Sequence, residues 1–294
     1  MVTRNSESAY PKPNLFIVGA MKSGTTSLHN YLKMHSDIFM SEPKELWYFV
    51  EEKNWRKGEQ WYLEHFRDAG SAVVIGESSA DYTMYPFYKG VPDRLHAFNP
   101  DAKLIYLMRD PVERAVSHYW YDVRIGLEKR SITRAVYSEP KYIYLGNYAT
   151  QLKLYFQLFN REQVYIETFE KMVTDPGRVV NDIIAWLGLN PDKVDTSTFA
   201  KKSYNATPNV VEQVKGLGII HALRHSSAWD FVHPFVPEFL IEAGRRMGYR
   251  KIQRKKETSG ETVDYLHRNL AESTSELARM LERNFPEWSY FKNI

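Results

Sequence analysis

The stretch Gly19-Ala20-Met21-Lys22-Ser23-Gly24-Thr25-Thr26-Ser27 brings together glycines, a lysine and several hydroxyl side chains. Glycine in a turn between a strand and a helix lets backbone N–H groups converge on an anion, and the helix N-terminus adds partial positive charge. Lys22 contributes a mobile full charge, and Ser23, Thr25, Thr26 and Ser27 offer further donors. A phosphate or sulfate group is the expected guest. The spacing departs from the nucleoside-triphosphate loop G-x-x-x-x-G-K-[ST]. Gly19 and Gly24 match its glycines, but Thr25 stands where the lysine should follow, and the lysine precedes Gly24 instead. A cradle for a triphosphate with magnesium is therefore not expected. A second cluster, Arg109-Asp110-Pro111-Val112-Glu113, places Asp110 where such proteins carry a metal-binding carboxylate. Arg109 beside it points to a second anion site, because a guanidinium fork suits a phosphate that is held and not cleaved.

Elements that position these clusters follow from the apolar pattern. Asn14 to Ala20 reads as a strand, and Leu28, Tyr31 and Leu32 share one face of the helix that Gly24 opens. Lys103 to Met108 reads as a second strand, after which Asp110 caps a helix, Pro111 takes its first position and Glu113 completes a capping box. Val112, Ala115, Val116, Tyr119, Trp120 and Val123 carry that helix onward. Val73 to Ile75, ahead of Gly76-Glu77, and Val164 to Phe169 supply two further strands. Helices are expected over Tyr148 to Phe159, over Pro176 to Leu187 between Asp175 and Gly188, and from Ser273-x-x-Glu276 until Pro286. Strands alternating with helices imply an α/β fold, a single domain with a central, mostly parallel β-sheet flanked by helices. Residues 1–13 read as a flexible arm and 14–294 as the domain. Within it, residues 201–260 are expected to form loops and short helices serving an acceptor pocket and a nucleotide lid.

Composition removes several classes. The 294 residues contain no cysteine, which excludes disulfides, thiol catalysis and cysteine-ligated metals. A net charge of +3 argues against general binding to nucleic acid or a membrane surface. Met1 to Pro13 lacks the apolar run of a signal peptide, and no stretch has the length of a membrane span, so a cytoplasmic protein is expected. His221 and His225 have helical metal-ligand spacing, but Ala222 replaces the glutamate of H-E-x-x-H, and no metal is expected.

The residues P-K-P-N-L-F-I-V-G-A-M-K-S-G-T-T-S-L and L-I-Y-L-M-R-D-P-V-E-R-A-V-S-H-Y closely resemble the sulfotransferase family that uses 3′-phosphoadenosine 5′-phosphosulfate (PAPS). The similarity is greatest to the branch of bacterial sulfotransferases and heparan-sulfate-type domains, and runs from about Asn14 to Trp288. Lys44-Glu45 in PKELWYF, Gly76-Glu77 in GESSADY, Tyr148 in GNYATQL and the closing ERNFPEW extend it. The resemblance implies a P-loop-like sulfotransferase fold. It implies that the loop of Lys22, Ser23, Gly24, Thr25, Thr26 and Ser27 holds the 5′-phosphosulfate, and that Arg109 and Ser117 hold the 3′-phosphate. Glu45 matches the general base, with Lys44 beside it to hold it or contact the sulfuryl group, and Lys22 would stabilise charge on the leaving phosphate oxygen. Adenosine 3′,5′-bisphosphate would be the product, with no metal required.

Heparan-type relatives usually carry a lysine after the glutamate of the G-E pair, where this chain has Ser78. The missing cation disfavours a polyanionic sugar. Trp47, Tyr48, Tyr82 and Tyr85 suggest instead an aromatic-walled pocket for a compact acceptor, with Glu77 and His118 as further acceptor contacts and His118 as an alternative base. The acceptor is thus expected to be a small molecule, such as a secondary metabolite, sulfated on a hydroxyl or an amine. Arg254, Lys255 and Lys256, in a basic run that begins at Arg245, read either as a lid over the nucleotide or as a solvated loop. A small-molecule kinase using Mg-ATP and a non-enzymatic nucleotide- or RNA-binding module are the competing classes, although only Tyr249 interrupts the basic run as an aromatic.

Overall fold

Residues 10–201, 210–214, 249–253 and 258–292 are described by the structure, a computed structural model. Five parallel strands form its sheet: β1 (Leu15–Gly19), β2 (Ile38–Met40), β3 (Val74–Ser78), β4 (Lys103–Met108) and β5 (Val164–Thr168), in the order β2-β3-β1-β4-β5. Helices α1 (Thr25–Leu32), α2 (Gly58–Leu63), α3 (Val91–Phe98), α4 (Pro111–Arg124), α5 (Ile132–Ser138), α6 (Lys141–Tyr144), α7 (Tyr148–Phe156), α8 (Phe169–Thr174), α9 (Pro176–Trp186) and α10 (Gly260–Leu281) intervene or follow. The α/β architecture with a parallel sheet is the one the alternation implies.

β1 has no polar side chain and every residue is buried, as expected of a strand covered on both faces. Its alternate residues reach two different cores. Leu15 and Ile17 join Leu28 and Leu32 of α1 and Val180, Ile183 and Ile184 of α9. Phe16 instead meets Phe49 and Phe98 edge-on, at centroid distances of 5.7 and 6.5 Å. Asp175 caps α9 by accepting from Arg178 N, and Gly188 follows with φ of 83°.

The chain divides into two compact units. The first comprises Met1–Arg114, Tyr144–Asn205 and Leu270–Ile294 and contains the parallel sheet. The second comprises Ala115–Ile143 and Ala206–Asn269 and contains an antiparallel pair, β6 (Val210–Val214) with β7 (Tyr249–Gln253).

Several boundaries differ from expectation. Gly76 and Glu77 lie inside β3 and not beyond it, because hydroxyl partners allow the carboxylate to be buried within a strand. The last helix begins at Gly260. Ser273 lies inside it, its hydroxyl donating back to Leu270 O, while the Ser259 hydroxyl accepts Thr262 N–H at the true start. The helix ends at Leu281, before Pro286, with Glu282 in the left-handed region. The strand pair β6–β7 falls in a region read as loops and short helices. Residues 1–9 of the expected arm lie outside the described residues, but Lys12 stacks on Phe98 at 4.2 Å and Pro13 O accepts from Asn99.

Candidate active site

All five strands are parallel, so their carboxyl ends lie on one edge of the sheet. The connection leaving β1 leads toward β2 and β3, whereas the one leaving β3 crosses to β4, and a crevice opens where such directions part. The loop Ala20–Gly24 follows β1, Lys44–Glu45 follows β2, residues 79–83 follow β3, and Arg109 follows β4. The motifs distant in sequence are therefore gathered by strand order. Ser79 N–H donates to Ile17 O, and the Thr83 hydroxyl donates to Val18 O at 3.1 Å, which ties the segment after β3 directly to β1.

In the first loop Gly24 has φ of 87° and opens α1 without any side-chain cap. A Cβ on Gly24 would meet Met172 Cε at 2.5 Å and Phe169 Cδ2 at 2.8 Å. Glycine is thus required both by conformation and by space. Lys22 also sits in the left-handed region, with φ of 70°. The uncapped helix start leaves the first N–H groups of α1 without intrahelical acceptors, a geometry that suits an anion.

Arg109 is mostly covered, with 18% of its side chain exposed, and lies over the Phe169 ring at 4.9 Å. Its Nη2 donates to Glu113 Oε2 at 3.0 Å, while its buried Nε has no hydrogen-bond partner. A partly satisfied guanidinium is the orphaned donor that a phosphate would complete. Glu113 therefore does not close a capping box. Asp110 N–H donates to Glu170, and Asp110 itself caps α4 through Val112 N–H at 2.9 Å and accepts Tyr290 N–H at 2.8 Å. Asp110 is a structural cap anchored by the closing segment, and burial pushes its carboxyl upward.

Glu45 and Trp47 both have positive φ, 67° and 50°. Among the described residues the non-glycine positions with positive φ are Lys22, Glu45, Trp47 and Glu282, so strain of this kind concentrates at the strand-end loops. Lys44 pairs with Glu45 Oε1, and Ala80 N–H donates to Glu45 Oε2 at 3.0 Å. The Glu45 side chain stays 26% exposed, so a proton acceptor is held in one orientation yet reachable. Lys44 also lies near α1, since burial first and then the Lys44 charge pull His29 down to about 4.

The remaining expected contacts distribute unevenly. Trp47 is half-buried beneath the Lys53 ammonium at 4.0 Å, and Tyr85 is exposed. Tyr48 and Tyr82 do not wall an open pocket. Tyr48 is buried and stacked on Tyr62 at 4.3 Å, and Tyr82 is buried with its hydroxyl on Glu77. Glu77 is fully buried and cannot touch an acceptor. Burial pushes its carboxyl up to about 7, against the downward pull of three hydroxyl donors. Ser117 and His118 lie on α4, in the second unit, and both are buried. His118 Nε2 is 3.5 Å from Asp122 Oδ2 and its ring meets Tyr142 edge-on, which assigns it to packing. Arg254, Lys255, Lys256, His221 and His225 lie outside the described residues.

Tyr148 is the functional neighbour for which sequence reasoning had no role. Its hydroxyl donates to Arg109 O at 2.8 Å and accepts Arg109 N–H, and it lies near Ser23, whose buried hydroxyl has no hydrogen-bond partner. One phenol thereby holds the Arg109 backbone and lies beside the loop that follows β1. Phe169, beneath Arg109 and against Gly24, does the same with its ring.

Comparison with known proteins bears on this arrangement. The sulfotransferase domain family matches residues 12–240. The membrane-associated sulfotransferase kil1 of Dictyostelium discoideum is 40% identical over 118 residues, 38% of this chain and 23% of its own. Heparan sulfate glucosamine 3-O-sulfotransferase 6 of Mus musculus is 27% identical over 256 residues, 83% of this chain and 70% of its own. The chain thus spans less than a quarter of kil1, and 22% of the bifunctional heparan sulfate N-deacetylase/N-sulfotransferase 1 of Xenopus laevis. The crystal structure of a sulfotransferase from Alicyclobacillus acidocaldarius superposes with a TM-score of 0.67 at 26% identity, covering 95% of this chain and 99% of that one. No helix among the described residues is long and apolar enough to cross a membrane.

Proposed function

Because this chain belongs to the PAPS-dependent sulfotransferase family, we propose that it moves the sulfuryl group to a hydroxyl, or less readily an amine, of a small organic acceptor, such as a secondary metabolite. PAPS supplies that group and departs as adenosine 3′,5′-bisphosphate. The observation that carries the assignment is a cationic loop, a partly satisfied arginine and a partly exposed, oriented carboxylate at the carboxyl ends of strands of one parallel sheet.

In this reading the loop Lys22–Ser27 binds the 5′ end of the donor through its N–H groups and hydroxyls, and Lys22 offsets charge on the departing oxygen. Arg109, completed by the 3′-phosphate at Nε, holds the other end. The exposed Glu45 carboxylate removes the acceptor proton, and Lys44 keeps it in place. Trp47 and Tyr85 offer apolar surface to the acceptor. Tyr48, Tyr82 and Glu77 support this surface from beneath. No residue in this scheme calls for a metal.

Glu45→Ala tests the assignment. Sulfate transfer should fall by about 10²-fold or more, while adenosine 3′,5′-bisphosphate still raises the Tm as in the parent, with or without chelator. Stabilisation by Mg-ATP in its place would establish the kinase alternative, and steeply salt-dependent RNA binding the binding-module alternative. Heparan sulfate oligosaccharides, the acceptor class named for the mouse relative, serve as the competing acceptor arm. Turnover of these in preference to small phenols and alcohols would overturn the acceptor class.

A further inference from the structure

Glu77 is a buried carboxylate that reaches no acceptor, yet it gathers three hydroxyls. Tyr62 donates to Oε2 at 2.6 Å, while Ser79 and Tyr82 donate to Oε1 at 2.6 and 2.7 Å. The two hydroxyls on Oε1 have a second engagement. Ser79 Oγ accepts Trp47 N–H at 3.0 Å, and the Tyr82 hydroxyl accepts Phe49 N–H at 3.4 Å. A hydroxyl has one proton, so committing it to Glu77 turns the oxygen lone pairs toward those N–H groups.

We propose that Glu77 is a positioning residue for the proton acceptor: through the Ser79 and Tyr82 hydroxyls it fixes the Trp47–Phe49 backbone, and with it Glu45, on the end of β3. The inference rests on Glu45 being the base. Glu45 and Trp47 adopt left-handed conformations that persist only where surroundings over-determine them. Its direct bonds to the β3 end are Glu45 N–H to Ser78 O and Ala80 N–H to Glu45 Oε2. The relay through Ser79 and Tyr82 adds two more anchors directly after the carboxylate. The division of labour on Glu77 also makes the device tolerant of a proton. A protonated Oε2 donates to the Tyr62 oxygen and leaves both relay hydroxyls on Oε1. Glutamine with its amide nitrogen toward Tyr62 does the same.

The test compares steady-state kinetics and adenosine 3′,5′-bisphosphate affinity across variants of the full chain. Ser79→Ala, which removes only a relay hydroxyl, should lower kcat by about 10–100-fold with nucleotide Kd unchanged within about twofold. Ser79→Thr should restore most of it. Glu77→Gln should recover most of the kcat lost in Glu77→Ala. Ser79→Ala added to Glu45→Ala should cost nothing further, because the group being positioned is gone. An unchanged kcat in Ser79→Ala, a multiplicative loss in the double variant, or a fall in nucleotide affinity parallel to kcat would each overturn the proposal. Full activity in Glu45→Ala would overturn the base assignment and this proposal with it, whereas loss of activity in Glu45→Ala beside an unchanged Ser79→Ala would overturn the proposal alone.

Discussion

Glu77→Gln changes how the stability of this protein depends on pH, and the size of the effect can be worked from the site. The carboxylate is fully buried, burial pushes it up to about 7 from an ordinary 4.5, and the nearby Glu45 adds to the rise. Hydrogen bonds from Ser79, Tyr62 and Tyr82 oppose that rise without cancelling it. The folded protein thus holds this proton more tightly than the unfolded chain. The associated stabilisation is complete below pH 4.5 and is lost as pH rises through 7. A difference of this size corresponds to about 3 kcal/mol, and full burial leaves little for solvent screening to remove. Glutamine keeps the shape and has no proton to lose. Urea denaturation of both proteins at intervals from pH 4.5 to 8 should therefore show the variant gaining on the parent by about 3 kcal/mol across that interval. The gain should level off above pH 7.5. A difference that stays constant with pH would mean that the three hydroxyl donors cancel the effect of burial, so that the folded protein holds this proton no more tightly than the unfolded chain.

Three further substitutions address the anion loops. Gly24→Ala places a Cβ against Met172 and Phe169 on a backbone with φ of 87°. Left-handed strain and overpacking together should cost about 2–5 kcal/mol in chemical denaturation, and the thermal shift with adenosine 3′,5′-bisphosphate should disappear. Arg109→Lys removes the planar fork over Phe169 and should raise the Kd for that nucleotide by about 10-fold or more by calorimetry. Tyr148→Phe deletes the bond to Arg109 O, and should cost about 1 kcal/mol of stability together with a measurable rise in the same Kd. An unchanged Kd would show that Tyr148 does not position Arg109 for the nucleotide.

Much of the scaffold is legible from the residues themselves. β1 and β4 are apolar runs ended by Gly19 and by Arg109-Asp110, α4 announces itself with Asp110 and Pro111, and α9 is bracketed by Asp175 and Gly188. Each signal is local, so it survives without tertiary information. What escapes is non-local. β2 has three residues, too few to show a period, yet it carries the chain to Lys44 and Glu45. Ser273-x-x-Glu276 has the letters of a helix start inside a helix, where Leu266, Leu270 and Leu277 are buried on one face and extend it in the N-terminal direction. Glu77 reads as a charged residue after a strand because nothing nearby in sequence reveals Tyr62, fifteen positions earlier, as its partner. For the same reason Tyr48 and Tyr82 read as pocket walls: an aromatic side chain looks alike in sequence whether its face meets a ligand or another ring.

The way this edge of the sheet is held explains that confusion of roles. Loops beyond strand ends have no ladder partners, so their backbone groups need other bonds if they are to stay fixed. Here buried hydroxyls supply them. Tyr82 receives Phe49 N–H and binds Glu77, Tyr155 donates to Tyr82 O at 2.9 Å, Tyr148 engages the Arg109 backbone at both N–H and C=O, and Thr83 donates to Val18 O. A phenol suits this task because its ring packs among other rings, Tyr82 on Phe49, Tyr148 on Tyr106 and Trp288, and Tyr155 on Phe159, while its polar tip reaches a backbone group. Phenylalanine at these positions would preserve most of the packing and release the loops. In the proposed reading these tyrosines serve the chemistry without touching it, by converting rigidity of the aromatic core into fixed positions for the Arg109 loop and the segment that follows Glu45. In the proposed reading, acceptor preference is left to the half-buried Trp47 and the exposed Tyr85.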